Sequence, residues 1–165
     1  GANIVGAHIT TTRDGFALDT FLLAREFAED EDELRRARRI EETIERLLRG
    51  DTWVAALLAN RRPAPPRVEA FTVAPEVYVN NALSDAFTVI EVAGRDRTGL
   101  LYELTNALSD LSLDIASAHV TTFGEKAVDV FYVTDLTAKK IENETRQAAI
   151  KEHLTKILEG PQAPS

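Results

Sequence analysis

Six segments of this chain are rich in β-branched, aromatic and aliphatic residues, several of them alternating with polar residues, and this pattern predicts β-strands. The predicted strands are residues 4–12, 16–23, 68–80, 86–93, 115–122 and 127–134. The first two flank the turn signal Arg13-Asp14-Gly15, and the last two flank a turn around Gly124. Each of these two pairs is therefore predicted to form a β-hairpin. Pro75 favours an edge position or a bulge for the strand at 68–80, because Pro cannot donate a ladder hydrogen bond.

Apolar residues at helical spacing predict three long helices and one short one. They cover residues 29–49, 52–60, 100–111 and 139–158, of which the second is the short one. The first helix begins with acidic residues, which favour the positive end of the helix dipole, and Gly50 is placed to end it. Residues 61–67 (RRPAPPR) then form a proline-rich break. Such a composition predicts a stiff, extended connector.

The two hairpin segments are copies of one sequence. Aligned at an offset of 111, then 110 after one gap, they share eight identical residues. The identical pairs are Ile4/Ile115, Ala7/Ala118, His8/His119, Thr10/Thr121, Thr11/Thr122, Ala17/Ala127, Asp19/Asp129 and Phe21/Phe131. A repeat of this length indicates two copies of one small domain, of which the first lacks the strand and helix that precede the second. Each copy matches part of a βαββαβ unit, so the predicted fold class is α+β, with tandem ferredoxin-like domains, antiparallel sheets and helices on one face.

The repeat divides the chain into two predicted domains. The first covers residues 1–80, lacks its first strand and helix, and includes the connector at 61–67. The second covers residues 84–160, and residues 161–165 form a tail. The sequence leaves open whether the strand at 68–79 completes the first sheet or the second. Because the chain begins with Gly and contains no Met, we expect it to be a piece of a longer protein.

Composition excludes several classes of protein. A hydrophobic content of 44% is enough for a folded core. No apolar run approaches the roughly 20 residues that span a bilayer, and no secretory signal is visible, so we expect a soluble, cytoplasmic chain. The net charge of −8 argues against nucleic acid as a partner, which requires a basic face. The absence of Cys excludes disulfides and thiol chemistry.

One loop has the composition of a ligand-binding site. Residues 94–102 (GRDRTGLLY) join a predicted strand to a predicted helix. Gly99 lets the backbone approach a ligand closely, and the free N–H groups at a helix start suit a carboxylate. The same residues also fit simple capping of the helix by Asp96 or Thr98, and the sequence alone does not separate the two interpretations.

Two polar residues recur in both copies of the repeat. His8 and His119 have no carboxylate at ligand spacing beside them, so we interpret them as packing or outer-face residues and predict no metal site. Asp19 and Asp129 alternate with apolar neighbours, which predicts a solvated face rather than a catalytic role. The chain shows no nucleophile–base pair, phosphate-binding loop or metal cluster, so an enzyme complete in itself is disfavoured and no catalytic residue is predicted.

The loop and the repeat together resemble a known family. The stretch GRDRTGLLY, followed by AVDVFYVTD at 127–135, is similar to the ACT domain, a small regulatory module that senses amino acids. More narrowly, the chain resembles the C-terminal tandem ACT pair of the bacterial bifunctional enzymes that uridylylate and deuridylylate the nitrogen-regulatory PII protein. Gly1 to Val5 (GANIV) and the pattern T-x-D-G-x-A-x-D at 12–19 match the preceding module of that pair.

The resemblance implies a regulatory role without catalysis in this chain. The implied ligand is a small amino acid, glutamine in particular. The implied partners are catalytic domains upstream, the PII protein, and a second copy of the chain in a homodimer formed through ACT sheets. Mg²⁺ would serve the catalytic domains of the parent family, and no cofactor is implied for this chain. The alternative is a ligand-free interaction or oligomerisation module that pairs through its sheets or helices.

The resemblance also implies a set of site residues. In ACT domains the ligand lies between the first strand–helix loop of one module and the start of the second strand of its neighbour. In this sequence, the corresponding residues are Asp96, Arg97, Thr98, Gly99 and Leu100 in the loop, and Asn3, Ile4, Asp114 and Ile115 at the strand starts. Backbone groups of Thr98 to Leu100 would bind the α-carboxylate, and Asn3 and Asp114 offer acceptors for the α-ammonium. Arg97 is either a ligand contact or a solvated side chain.

Overall fold

The computed structural model describes residues 4–12, 14–59 and 73–160 of the chain. Ten elements are present in these residues. They are β1 (Ile4–Thr11), β2 (Ala17–Leu23), α1 (Asp30–Leu48), α2 (Val54–Ala59), β3 (Glu76–Asn80), β4 (Thr88–Arg95), α3 (Leu100–Asp110), β5 (Leu113–Phe123), β6 (Lys126–Asp135) and α4 (Glu144–Glu159). Several predicted features lie outside the described residues: Asn3, Arg13, the connector at 61–67, the first part of the strand at 68–80, and the tail at 161–165.

The chain forms two compact units, one of residues 1–23 and 69–165 and the other of residues 24–68. The first unit contains one six-stranded sheet in the order β2-β1-β5-β6-β4-β3. All five strand pairings are antiparallel. The α+β, antiparallel fold class predicted from the sequence is confirmed. The two repeats share a single sheet, because β1 of the first copy pairs with β5 of the second.

The position of β3 answers the question that the sequence left open. Glu76–Asn80 pairs with β4 and forms the edge of the sheet next to the second repeat. Pro75 directly precedes this edge strand, where its missing N–H costs no ladder hydrogen bond. The four strands β5-β6-β4-β3 therefore complete a ferredoxin-like set whose last strand comes from the segment before the repeat, not after it.

One face of the sheet, here called the inner face, packs against α3 and α4. Its core includes Phe131 and Val133 of β6, Leu104 and Leu108 of α3, and Leu154 of α4, each at most 1% exposed. Successive strand residues point to opposite faces, so Ala118 and Val120 of β5, which pair with Phe131 and Asp129 of β6, lie on this inner face and are also buried. The outer face carries the alternate residues, and both described helices of this unit, α3 and α4, pack on the inner face instead.

The helix α4 begins later than its apolar pattern predicts. The predicted start was residue 139, and the observed start is Glu144, capped by the side chain of Asn143, which accepts a hydrogen bond from the N–H of Arg146 at 2.9 Å. The preceding turn is organised by the Asp135 carboxylate, which accepts hydrogen bonds from the N–H groups of Thr137 and Lys139 at 2.8 and 3.0 Å. Local side-chain-to-backbone hydrogen bonds thus compete successfully with the helix over these residues.

The second unit contains α1 and α2. Arg36 of α1 is 6% exposed, and its guanidinium contacts Glu26 at 3.0 Å and Glu33 at 3.2 Å and donates to the carbonyl of Ala24 at 2.9 Å. Hydrogen bonds from the N–H groups of Phe27 and Glu26 hold the pKa of Glu33 below its ordinary value.

Among the described residues, no helix is long and apolar enough to cross a membrane.

Candidate functional site

The predicted ligand loop connects β4 to α3 at one end of the sheet. The N–H of Asp96 donates to the carbonyl of Glu125 in the β5–β6 turn at 2.8 Å, which fixes the start of the loop. Leu100 is 3% exposed and anchors the other end in the core. Between these points Asp96 and Thr98 are exposed, and Gly99 is half-buried. The loop is thus held at both ends and reachable from solvent in its middle.

The start of α3 is open to an acceptor. Gly99 occupies the N-cap position with φ of 89°, a left-handed conformation that favours glycine, and it provides no side-chain cap. Capping by Asp96 or Thr98, one of the two interpretations of the sequence, is therefore wrong. The N–H of Leu100 donates to the carbonyl of Arg97 at 3.1 Å. Within the described residues, the N–H groups of Leu101 and Tyr102 have no acceptor, as expected for an uncapped helix N-terminus.

The Arg97 side chain is used inside the protein. Its Nη1 donates to Oε1 of Glu103 on α3 at 2.8 Å, and its Nη2 donates to Oε2 of the same carboxylate and to the carbonyl of Ile157 on α4 at 3.0 Å. The bidentate pairing lowers the pKa of Glu103 and raises that of Arg97. Because these bonds join the loop to both helices, Arg97 holds the loop in position against α3 and α4.

The register of the strands separates the four residues predicted at strand starts. Gly6 of β1 lies opposite Thr121 of β5, so Ile4 is at the same end of the sheet as the loop. Asp114 and Ile115 begin β5 and lie at the opposite end, where Asp114 pairs with Thr134. The structure thus places Ile4 and the 96–100 loop at one end, and it does not bring Asp114 and Ile115 to them. Asn3 lies outside the described residues.

Asp129 is a buried residue that the sequence prediction placed on a solvated face, and that prediction is wrong. It is 2% exposed on the inner face, between Val92 of β4 and Val120 of β5. Burial and, to a smaller extent, the nearby charge of Asp96 raise the pKa of Asp129 to about 7, against the opposing hydrogen bond from the Thr121 N–H. Its Oδ1 has no hydrogen-bond partner within the described part of the chain. The period-two spacing of Ala127, Asp129 and Phe131 was the signal for this burial.

Comparison with known proteins assigns more than half of this chain to a family. Residues 76–162, which contain β3 through α4, match the ACR9-like, ACT-like domain family. Two curated relatives, from Bradyrhizobium sp. strains ORS 278 and BTAi1, are both called bifunctional uridylyltransferase/uridylyl-removing enzyme. Each is 58% identical to this chain over 158 residues, which cover 96% of the chain and 17% of the relative. No solved structure matched the chain.

The chain therefore spans about a sixth of the length of the relatives that it matches. Its similarity to them extends over nearly all of its own residues, and it includes both copies of the repeat. The chain belongs to the ACT-like domain family, as a regulatory module similar to a part of the bifunctional uridylyltransferase/uridylyl-removing enzymes.

Proposed function

We propose that this chain senses a free amino acid, glutamine in particular, and passes its occupancy to the enzyme of which it is a part. The observation that carries the proposal is the uncapped N-terminus of α3 beside an exposed loop. Two unused N–H groups and the positive end of the helix dipole together favour a carboxylate at that position. Every free α-amino acid has such a carboxylate.

The surroundings of the helix start fit the rest of an amino acid. Asp96 is exposed in the same loop, and its carboxylate can accept hydrogen bonds from an α-ammonium group. Ile4 of the first repeat starts its strand at the same end of the sheet. Asn3, the residue before it, would offer an amide to the side chain of glutamine. A site of this kind would use both repeats, and its ligand would bridge them.

The relatives supply the rest of the proposal. Because they are named for uridylyl transfer and uridylyl removal, the catalytic parts served by this module would lie in the remainder of such an enzyme. Their protein substrate would be PII, their location the cytoplasm, and Mg²⁺ would belong to those catalytic parts. Glutamine on the 96–100 loop would then decide which of the two opposed reactions is favoured.

Isothermal titration of the chain with L-glutamine tests the sensing proposal. We expect saturable heat for glutamine and a weaker signal for amino acids with a different side chain. Gly99→Ala should weaken binding because a side chain in a left-handed conformation strains the N-cap. Gly124→Ala is the matched control: this glycine also has a positive φ, of 61°, but lies in the β5–β6 turn. Equal loss of binding in both variants, or no heat at millimolar glutamine, would count against the loop as the ligand site.

A second candidate function is pairing with another chain without a small ligand. The outer edge of β2 has no partner among the described strands, and all seven of its residues are exposed. Phe16, Leu18 and Leu22 are 70%, 64% and 61% exposed. An apolar edge strand is a template for strand addition from a second copy. Light scattering over a range of concentrations separates the candidates, since Leu18→Lys should abolish self-association and leave glutamine binding intact.

A further inference from the structure

The two histidines of the repeat meet across the junction between its copies. His8 on β1 lies directly opposite His119 on β5, and their Nδ1 atoms are 3.3 Å apart. The ring centroids are 4.6 Å apart, with the ring planes inclined by 35°. Both side chains are exposed on the outer face, in agreement with the outer-face interpretation of the sequence. Their recurrence in the repeat therefore produces a local pair that the sequence alone did not reveal.

The separation of the two Nδ1 atoms equals that of two imidazole ligands on a tetrahedral metal ion. Zn²⁺ binds imidazole nitrogen at about 2.0–2.1 Å, and at a tetrahedral angle two such ligands are about 3.3 Å apart. We propose that His8 and His119 bind a zinc-type divalent cation through their Nδ1 atoms. In the metal-bound form each ring would carry its hydrogen on Nε2 and bind the ion through a bare Nδ1, because the metal needs the nitrogen lone pair.

Neighbouring rings hold one of the two ligands in position. Tyr132 of β6 contacts His119 edge-on at a centroid distance of 6.0 Å, and Phe87 contacts Tyr132 in the same manner at 6.4 Å. Packing of this kind restricts the orientation of the His119 ring and reduces the entropy lost when a metal binds. On the other side of the pair, the backbone of His8 lies between β5 and β2 in a regular antiparallel ladder.

The site has two protein ligands and open positions. In the described part of the chain, no group of three or more His, Cys, Asp or Glu side chains could hold a metal. The remaining positions would be filled from solvent, which is the arrangement of an accessible rather than a closed structural site. Because each repeat supplies one ligand, the ion would lie at the β1–β5 junction and bind only when the two hairpins are paired. Zn²⁺ should therefore stabilise the folded chain by mass action.

Titration of the tag-free, chelator-treated chain with Zn²⁺ tests the proposal. We expect one Zn²⁺ per chain by calorimetry and a rise in the melting temperature. Loss of an outer-shell partner costs about 10–100-fold in metal affinity, so His8→Gln and His119→Gln should each cost at least tenfold. His153→Gln is the matched control, because the third histidine of the sequence is exposed on α4, away from the pair. By the usual order of affinities, Cu²⁺ should bind more tightly than Zn²⁺, and Mg²⁺ should not compete.

Measurements of Zn²⁺ binding and urea unfolding on the same variants can also overturn the proposal. Because both histidines are exposed, the Gln variants should unfold in urea at the same midpoint as the original chain without metal, which separates loss of a ligand from loss of fold. Absence of binding at millimolar Zn²⁺ would refute the site. Binding that survives either His8→Gln or His119→Gln, or that is lost in His153→Gln, would assign the metal to other residues.

Discussion

Replacing Asp129 by Asn should change how the stability of this chain depends on pH. In the folded chain, burial raises the pKa of this carboxyl group from 3.8 to about 7. In the unfolded chain, it returns to its ordinary value. Between these two values, the folded form keeps a proton that the unfolded form has lost. Stability therefore falls as pH rises, because unfolding is then favoured by the loss of that proton.

The size of the effect follows from the shift. The difference of about three pH units, at about 1.4 kcal/mol for each unit, gives a loss of about 4 kcal/mol between pH 4 and pH 7. Above the folded pKa the loss is complete, and the contribution of Asp129 becomes constant. Asn cannot ionise, so the variant avoids this loss. Relative to the original chain, Asp129→Asn should gain up to about 4 kcal/mol in unfolding free energy from pH 4 to pH 7.5.

Urea unfolding at pH 4, 5.5 and 7.5 measures this gain directly. At each pH, the unfolding free energy of the original chain is subtracted from that of Asp129→Asn, which removes the contribution of the other carboxylates. An unchanged m-value shows that only stability has changed. Asp19→Asn is the matched control, because Asp19 holds the same position in the first repeat but is exposed on β2. If the unfolding free energies of the original chain and Asp129→Asn changed with pH in the same way, the reasoning would be refuted. That result would mean that Asp129 loses its proton at the same pH in the folded and unfolded chains.

Three further substitutions test the contacts around the β4–α3 loop and the cap at the start of α4. At Gly94, a Cβ would lie 2.9 Å from Leu158 Cδ2; Gly94→Ala should cost about 1–3 kcal/mol in urea unfolding, and a double-mutant cycle with Leu158→Ala should recover part of it. Arg97→Ala should leave the Glu103 carboxylate without its bidentate partner and raise the Glu103 pKa, which carboxyl NMR titration would detect. Asn143→Ala should cost about 1 kcal/mol by removing the α4 cap, and an unchanged urea midpoint would argue against that cap.

Much of the fold was predictable from periodicity. The hairpins, the helix at 100–110 and the antiparallel α+β class all follow from alternating or helical spacing of apolar residues together with Gly-containing turns. The loop at 96–100 was predictable as a strand-to-helix connection because its glycines and polar residues interrupt that spacing. The start of α4 was not predictable from periodicity. It is set by local hydrogen bonds of the Asp135 and Asn143 side chains, and the spacing of apolar residues carries no information about such bonds.

The candidate site was predictable only in part. The sequence identified the loop, but it could not say whether a side chain caps α3, and the φ of 89° at Gly99 decides this. For Arg97 the sequence predicts either a ligand contact or a solvated side chain, and it does not predict the observed contacts of the guanidinium with Glu103 and the carbonyl of Ile157. Ile157 is 60 residues from Arg97 in sequence, so this contact exists only after the helices have packed.

By itself, the sequence determined that this chain contains two copies of one strand–turn–strand segment and a glycine-containing loop before a helix. These features depend on neighbouring residues, whose backbone preferences act locally. Only the tertiary structure decided that β1 pairs with β5 in one sheet, that His8 faces His119, and that Asp129 is buried while its repeat partner Asp19 is exposed. Identical residues can differ in this way because burial and pairing depend on which strands and helices pack beside them.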